Sequence, residues 1–236
     1  MKRELIYIVF ASLLMVSCQK IFFNTDEKTM EIGLEDFHAA ELYGIYNVVL
    51  IQDSANKVVI KGTNDISTIT AVVANDTLII KNNKKLSLNS EKNTLELHFS
   101  DLKYLVTFNP VNVTTRDTIK ADRFEYGALG EISEVTLIVD CNYFLVYTSA
   151  NTLGYFHIYG KAQSCTLWQR YGSGIFAGTL VCRDAEIIND SVGDMYVNAS
   201  DNITASLLGL GNTYYYGNPA IKIVENRGNG RLIRKY

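Results

Sequence analysis

Ile203-Thr204-Ala205, Gly211 and Tyr214-Tyr215-Tyr216 follow one another near the end of the chain. The same order returns as Ile221-Lys222-Ile223, Gly230 and Leu232-Ile233, with the first members 18 residues apart and the glycines 19. Read backwards, the pattern continues. Ile187-Ile188 precedes Gly193 and Met195-Tyr196-Val197, and Cys165 and Leu167 precede Gly174 and Ile175-Phe176-Ala177. Leu145 and Tyr147 precede Gly154 and Tyr155-Phe156-His157-Ile158, and Phe124 and Tyr126 precede Gly130. From Gly130 to Gly230 the separations are 24, 20, 19, 18 and 19 residues, a period that tightens along the chain. Each unit reads as two short strands around a glycine turn, with inward apolar and outward polar residues alternating.

A two-strand unit of this length cannot bury its own apolar face, but a stack of such units can. The expected fold is therefore all-β: a single-stranded, right-handed parallel β-helix with an irregular N-terminal cap. The alternative is an antiparallel β-sandwich, which also produces short strands and regular turns. The β-helix is preferred because glycines recur once per two strands, and Asn-Gly occurs only at Asn229-Gly230. Gly154, Gly174, Gly193, Gly211, Gly217 and Gly230 are the expected structural turns. At one turn per repeat, the chain should make roughly ten turns stacked ~4.8 Å apart.

The N-terminus reads differently. Lys2 and Arg3 precede an apolar run from Leu5 to Val16, too short to span ~30 Å of hydrocarbon as a helix. It ends in Met15-Val16-Ser17-Cys18, which resembles a bacterial lipobox, although the usual leucine three residues before the cysteine is missing. Residues 1–17 are expected to be a lipoprotein signal peptide, and 18–33 a lipidated cysteine and polar tether. Residues 34–236 are expected to be one β-helix domain, most regular over about 118–236. From Leu34 to Phe108 the strand-like runs are Ile45–Ile51, Val58–Ile60, Ile66–Val73, Leu78–Ile80 and Leu95–Phe99, separated by Asp-, Asn- and Ser-rich turns.

Net charge is −3, and no basic run exceeds Lys81, Lys84 and Lys85, which argues against a nucleic-acid partner. Besides Cys18 there are Cys141, Cys165 and Cys182, whose spacing fits no metal motif; they read as buried apolar residues with room for one bridge. His38, His98 and His157 stand alone, so neither metal nor cofactor is expected.

Gly209-Leu210-Gly211-Asn212-Thr213-Tyr214-Tyr215-Tyr216-Gly217-Asn218-Pro219, followed by Asn226-Arg227-Gly228-Asn229-Gly230, resembles the closing signature of the "putative auto-transporter adhesin, head GIN domain" family. Phe37 and Val58-Val59-Ile60 are similar to its opening, and the likeness spans roughly residues 34–236. The resemblance implies an exported β-helical protein, often a lipoprotein, without established enzyme activity.

Parallel β-helices also carry polysaccharide lyases and glycosidases, whose acid pairs lie ~5–9.5 Å apart. Asp184 and Asp201 form the best such pair on adjacent turns. Among 15 tyrosines, Tyr214 and Tyr216 share a face and Tyr215 takes the other. They are candidates to face a ligand, a glycan strip being the functional role and a stacked stabilising ladder the structural one. Asp53-Ser54-Ala55, Asp76-Thr77-Leu78, Asp117-Thr118-Ile119 and Asp190-Ser191-Val192 resemble O-glycosylation acceptors at Ser54, Thr77, Thr118 and Ser191.

The combined expectation is a non-enzymatic cell-envelope lipoprotein of the outer membrane, periplasmic or surface-exposed. It would be held by its lipid and would bind a glycan or an envelope or host protein. A carbohydrate-active β-helix enzyme is the alternative. Cys18→Ala should leave an uncleaved or soluble species; unchanged processing and detergent partitioning of that variant would show that Cys18 is not acylated.

Overall fold

The computed structural model describes residues 27–63, 65–83 and 93–236. The leader, Cys18, Lys84 and Lys85 lie outside the described residues. Among those described, the first seven strands are β1 (Lys28–Gly33), β2 (Ala39–Tyr43), β3 (Tyr46–Gln52), β4 (Lys57–Gly62), β5 (Ile69–Ala74), β6 (Thr77–Asn82) and β7 (Asn93–Phe99). The next five are β8 (Tyr104–Thr107), β9 (Val111–Thr115), β10 (Ile119–Ala128), β11 (Ile132–Thr148) and β12 (Leu153–Ser191). The last four are β13 (Met195–Leu207), β14 (Thr213–Tyr216), β15 (Ala220–Asn226) and β16 (Leu232–Arg234). The described chain contains one short 3-10 turn, Ile66–Thr68, and no helix able to cross a membrane.

Every pairing made by β8 to β16 is parallel. Val111 stands against Ser133 and Ser133 against Gly154; further on, Met195 stands against Thr213 and Thr213 against Leu232. Ile203 lies over Ile221 and Ala205 over Ile223, so the apolar pairs of successive repeats form one column and Gly211 closes no hairpin. This is a parallel β-helix, and the sandwich is excluded.

The solenoid proper makes about six turns rather than ten. The chain before Tyr104 does not coil in sequence. There β2 sits between β6 and β8, and β3 between β7 and β9, so the outermost rung of the cap is built later in the chain than the one beneath it. Antiparallel strands then close both edges: β5 on β6, and β4 followed by β1 on β7. Lys28–Gly33, expected to lie in a tether, instead forms β1, whose Met30 and Ile32 pack against the core. Glu96 anchors the cap with Lys61 Nζ at 2.8 Å and an Arg116 guanidinium nitrogen at 3.1 Å.

Inward columns are mainly apolar. Phe124 tilts against Phe144 and Tyr126 against Phe156, with ring centres 6.3 and 6.4 Å apart. Each fully buried ring or aliphatic side chain contributes roughly 1.5–3 kcal/mol. At the corners, buried amides take over. Gln169 Nε2 donates to Asn189 Oδ1 (2.9 Å) and to the Gly193 carbonyl (2.7 Å), while Asn189 Nδ2 donates to the Gly211 carbonyl (3.0 Å). Carbonyls left unpaired by the bend are thereby satisfied.

Two predictions follow from these contacts. A Cβ on Gly211 would lie 1.9 Å from the Gly193 oxygen, and one on Gly230 would lie 2.1 Å from the Gly211 oxygen. Gly211→Ala should therefore cost about 3 kcal/mol. Asn212→Ala, which forfeits the bond from the Arg231 N–H to Asn212 Oδ1 (3.1 Å), should cost only about 1 kcal/mol. Urea unfolding of both variants distinguishes a backbone collision from a general intolerance of that corner. The second concerns acid. The Lys61 hydrogen bond, assisted by the Lys61 and Arg116 charges, holds the Glu96 carboxyl below its ordinary value against the opposing effect of burial. Its stabilising contribution is thus complete above the ordinary carboxylate range and lost as pH falls through the lowered value. Glu96→Gln should melt earlier at neutral pH and lose less melting temperature on acidification than the parent; parallel losses would contradict this.

Candidate functional site

Strand alternation sorts the C-terminal rungs. Ile175, Ala177, Met195, Val197 and Thr213 are buried, while Phe176, Tyr196 and Tyr214 stand outward and half-buried. Because parallel pairing sets Phe176 beside Tyr196 and Tyr196 beside Tyr214, their rings stack. Ring centres are 5.3 Å apart for Phe176–Tyr196 and 5.0 Å for Tyr196–Tyr214, and His157 continues the stack onto Phe176 at 4.9 Å. Lys235 Nζ covers the far end, 4.6 Å from the centre of Tyr214. Burial, with the nearby Asp194, pushes the Tyr196 phenol up from its ordinary value, so it remains a hydroxyl.

Beside this ladder is a groove of about 410 Å³ lined by Tyr159, Phe176, Gly178, Thr179, Tyr196 and Tyr216. It lies at a break in register. Ala177 pairs with Val197, but the next pair is Val181 with Asn198, so residues 178–180 bulge out of the ladder. Asn198 Nδ2 donates to the Gly178 carbonyl (3.3 Å), and Tyr216 Cε2 would meet a Cβ on Gly178 at 2.9 Å. Gly217 then reverses the chain at φ 94°, a conformation that glycine adopts without strain.

The two tyrosines singled out by sequence are thus divided. Tyr216 lines the groove, Tyr214 belongs to the stacked ladder under Lys235, and Tyr215 packs on the core. Tyr159, Gly178 and Thr179 were not singled out. The signal for them was present, since the turn-to-turn step shortens near residue 178.

Asp184 and Asp201 do come together, but on a cation. Arg183 Nε lies 3.2 Å from an oxygen of each; Asn202 Nδ2 binds Asp184 at 2.6 Å, and Ser200 Oγ binds Asp201 at 2.7 Å. The guanidinium holds the position between them that an acid pair leaves to a glycosidic bond. Asp184 instead borders a second groove of about 410 Å³ with Tyr143, Thr166 and Glu186, and Asp201 is not part of its lining.

The remaining candidates are structural. Cys165 and Cys182 form a disulfide, and Cys141 is free and buried, its thiol pushed up to about 12 by burial. His38 Nδ1 lies 2.8 Å from Asp76 and His98 Nδ1 2.6 Å from Asp53, and the described residues contain no cluster able to hold a metal. Of the turn glycines, Gly193, Gly211 and Gly230 stack over one another with Gly174 against Gly193, whereas Gly154 approaches the backbone of Ser133. Among the modification candidates, Ser54 is exposed and Thr77 and Thr118 are half-buried. Ser191 must be withdrawn: it is 2% exposed, and its hydroxyl oxygen lies 2.8 Å from both the Tyr171 and Ser173 carbonyl oxygens inside the corner, its one proton shared between them.

Three solved structures share this architecture. A protein described as a putative adhesin from Bacteroides fragilis aligns with a TM-score of 0.79 and 22% identity, covering 89% of this chain and 97% of its own. One described as a putative lipid binding protein from Parabacteroides distasonis gives 0.67 and 18%, covering 90% and 98%. A putative adhesin from Parabacteroides merdae gives 0.62 and 16%, again covering 90% and 98%. At these identities the likeness establishes the fold. No curated protein matches the sequence. The family pattern described as "Putative auto-transporter adhesin, head GIN domain" matches residues 36–219, well over half of the chain, and the protein belongs to that family.

Proposed function

We propose that this protein is a non-enzymatic, lipid-anchored component of the cell envelope that presents one rigid face of its β-helix to a glycan or protein. The observation that carries the reading is the outward aromatic ladder from His157 to Tyr214, with a groove along its side. Outward, half-buried rings held on a sheet whose strands are paired on both sides offer contact area at little conformational cost, as recognition surfaces require. Family membership and the adhesin descriptions of similar structures support the same direction. The lipobox-like Met15-Val16-Ser17-Cys18 supplies the anchor. A catalytic role for Asp184 and Asp201 is disfavoured by the Arg183 guanidinium they share.

Expressed in a Gram-negative host, the full chain should fractionate with the envelope membranes. Solubilised, it should bind saturably to an array of glycans and purified extracellular proteins without altering them. A soluble protein that binds neither class, or one that cleaves a polysaccharide and loses the activity on Asp184→Asn, would overturn the proposal.

A further inference from the structure

The groove at Gly178 differs chemically from the ladder beside it. In the ladder, ring faces cover one another, and only edges remain open to a ligand. Among the described residues, neither Tyr159 nor Tyr216 stacks on another ring, although both line the groove, and Tyr159 is 40% exposed. Between them stands a residue with no side chain, on a bulge that displaces the local backbone. Tyr216 leans into that gap, its Cε2 2.9 Å from where a Cβ on Gly178 would stand, and the recess beside it is walled by aromatic rings.

Its polar groups are equally specific. Every lining residue is uncharged, and four of the six carry a hydroxyl: Tyr159, Tyr196, Tyr216 and Thr179. A hydroxyl both donates and accepts. A lipid chain would leave these groups without partners on its side, at a cost. An added peptide strand would need an open sheet edge, whereas the bordering strands are paired on both sides. A polyanion would need cations in the lining. A pyranose ring has what the recess lacks: an apolar C–H face to lie on an aromatic ring, and an equator of hydroxyls to exchange hydrogen bonds with phenols.

We propose that the groove formed by Tyr159, Gly178, Thr179, Tyr196 and Tyr216 binds a neutral saccharide, one pyranose ring lying against the face of Tyr159 and beside the Tyr216 ring that packs on Gly178. This rests on the envelope-ligand reading above and names the ligand class and the residues. Phe176 and the Asn198–Gly178 hydrogen bond hold the walls and floor in place. An extended chain of sugars would run along the solenoid axis, past rungs that repeat every 5.0–5.3 Å in the neighbouring ladder.

The test uses the full chain in a detergent without a sugar headgroup, titrated calorimetrically with neutral gluco-, manno-, xylo- and galacto-hexasaccharides, and with hexagalacturonate as the acidic comparison. At least one neutral hexasaccharide should bind, with an affinity insensitive to added salt. Tyr159→Ala and Tyr216→Ala should each weaken binding about tenfold or more. Tyr159→Phe should retain most of the affinity, and Tyr236→Ala, outside the groove, all of it. Gly178→Val should weaken binding by pushing aside the Tyr216 ring that packs on Gly178, and the melting temperatures of all the variants guard against misfolding. Failure of every neutral hexasaccharide, equal binding by the alanine variants, or a salt-sensitive preference for hexagalacturonate would each overturn the proposal. Array binding that survives both alanine variants removes the groove but leaves the adhesin-like reading; absence of any array ligand removes both.

Discussion

The structure depends on how closely one turn of backbone can approach the next at a corner. Along a flat face, parallel strands keep the ~4.8 Å spacing of a ladder, and side chains alternate away from their neighbours. At a corner the chain bends, carbonyls leave the ladder, and the Cα hydrogens of one turn point at the oxygens of the turn below. Gly193, Gly211 and Gly230 follow this rule: the position a Cβ would occupy is filled by the carbonyl of the preceding turn. The carbonyls so crowded still need donors, and Gln169 and Asn189 supply them from inside. Small residues outside and amides inside are two answers to one geometric demand. Columns of apolar side chains can interlock over many turns only because those corners stay in register.

That demand also explains which parts of the fold were legible in the sequence. A steric requirement repeated every turn leaves a repeated residue, so the glycine spacing exposed the solenoid and the stacking of Ile203 on Ile221. The strand runs before residue 100 were legible as strands for the usual reasons of alternation and turn chemistry. Their order was not. Placing β2 beneath β6, and β3 beneath β7, depends on contacts between segments far apart in sequence, and no period records them. The inward Gln169 and Asn189 left no signal, since amides near a turn ordinarily face water. Ser191 resembled a modification acceptor by its Asp-Ser-Val context, which does not record that its hydroxyl is turned into the corner.

The two ends of the stack are treated differently, and charge shows how. At the N-terminal end, antiparallel strands finish the sheet, and the outermost strand β1 pairs Glu31 with Lys57 at 3.2 Å, a charged edge that discourages further pairing. At the other end β15 continues the inward column, yet Ile221 and Ile223 are 42% and 50% exposed because no further described turn covers them. The aromatic ladder lies toward this second end and away from the cap, Tyr214 pairing directly with Ile233 of the last strand.

The groove arises from the same bookkeeping of residues per turn. Up to Ala177 each residue of this face stands 20 positions before its partner on the next turn; beyond the bulge Asp184 stands 18 before Asn202. The solenoid therefore shortens its circumference between two consecutive turns, and the surplus residues on the longer one have no partners above them. Gly178, Thr179 and Leu180 are those residues: they stay within β12, with Leu180 buried in the core, but skip the ladder to β13. An aromatic ladder requires equal turns, and a recess requires unequal ones. By changing period beside its ladder, the chain produces both on one surface: stacked rings where the register holds, and the unstacked faces of Tyr159 and Tyr216 where it slips. The tightening of the glycine spacing, visible in the sequence as a fading regularity, is the physical origin of this aromatic-walled groove.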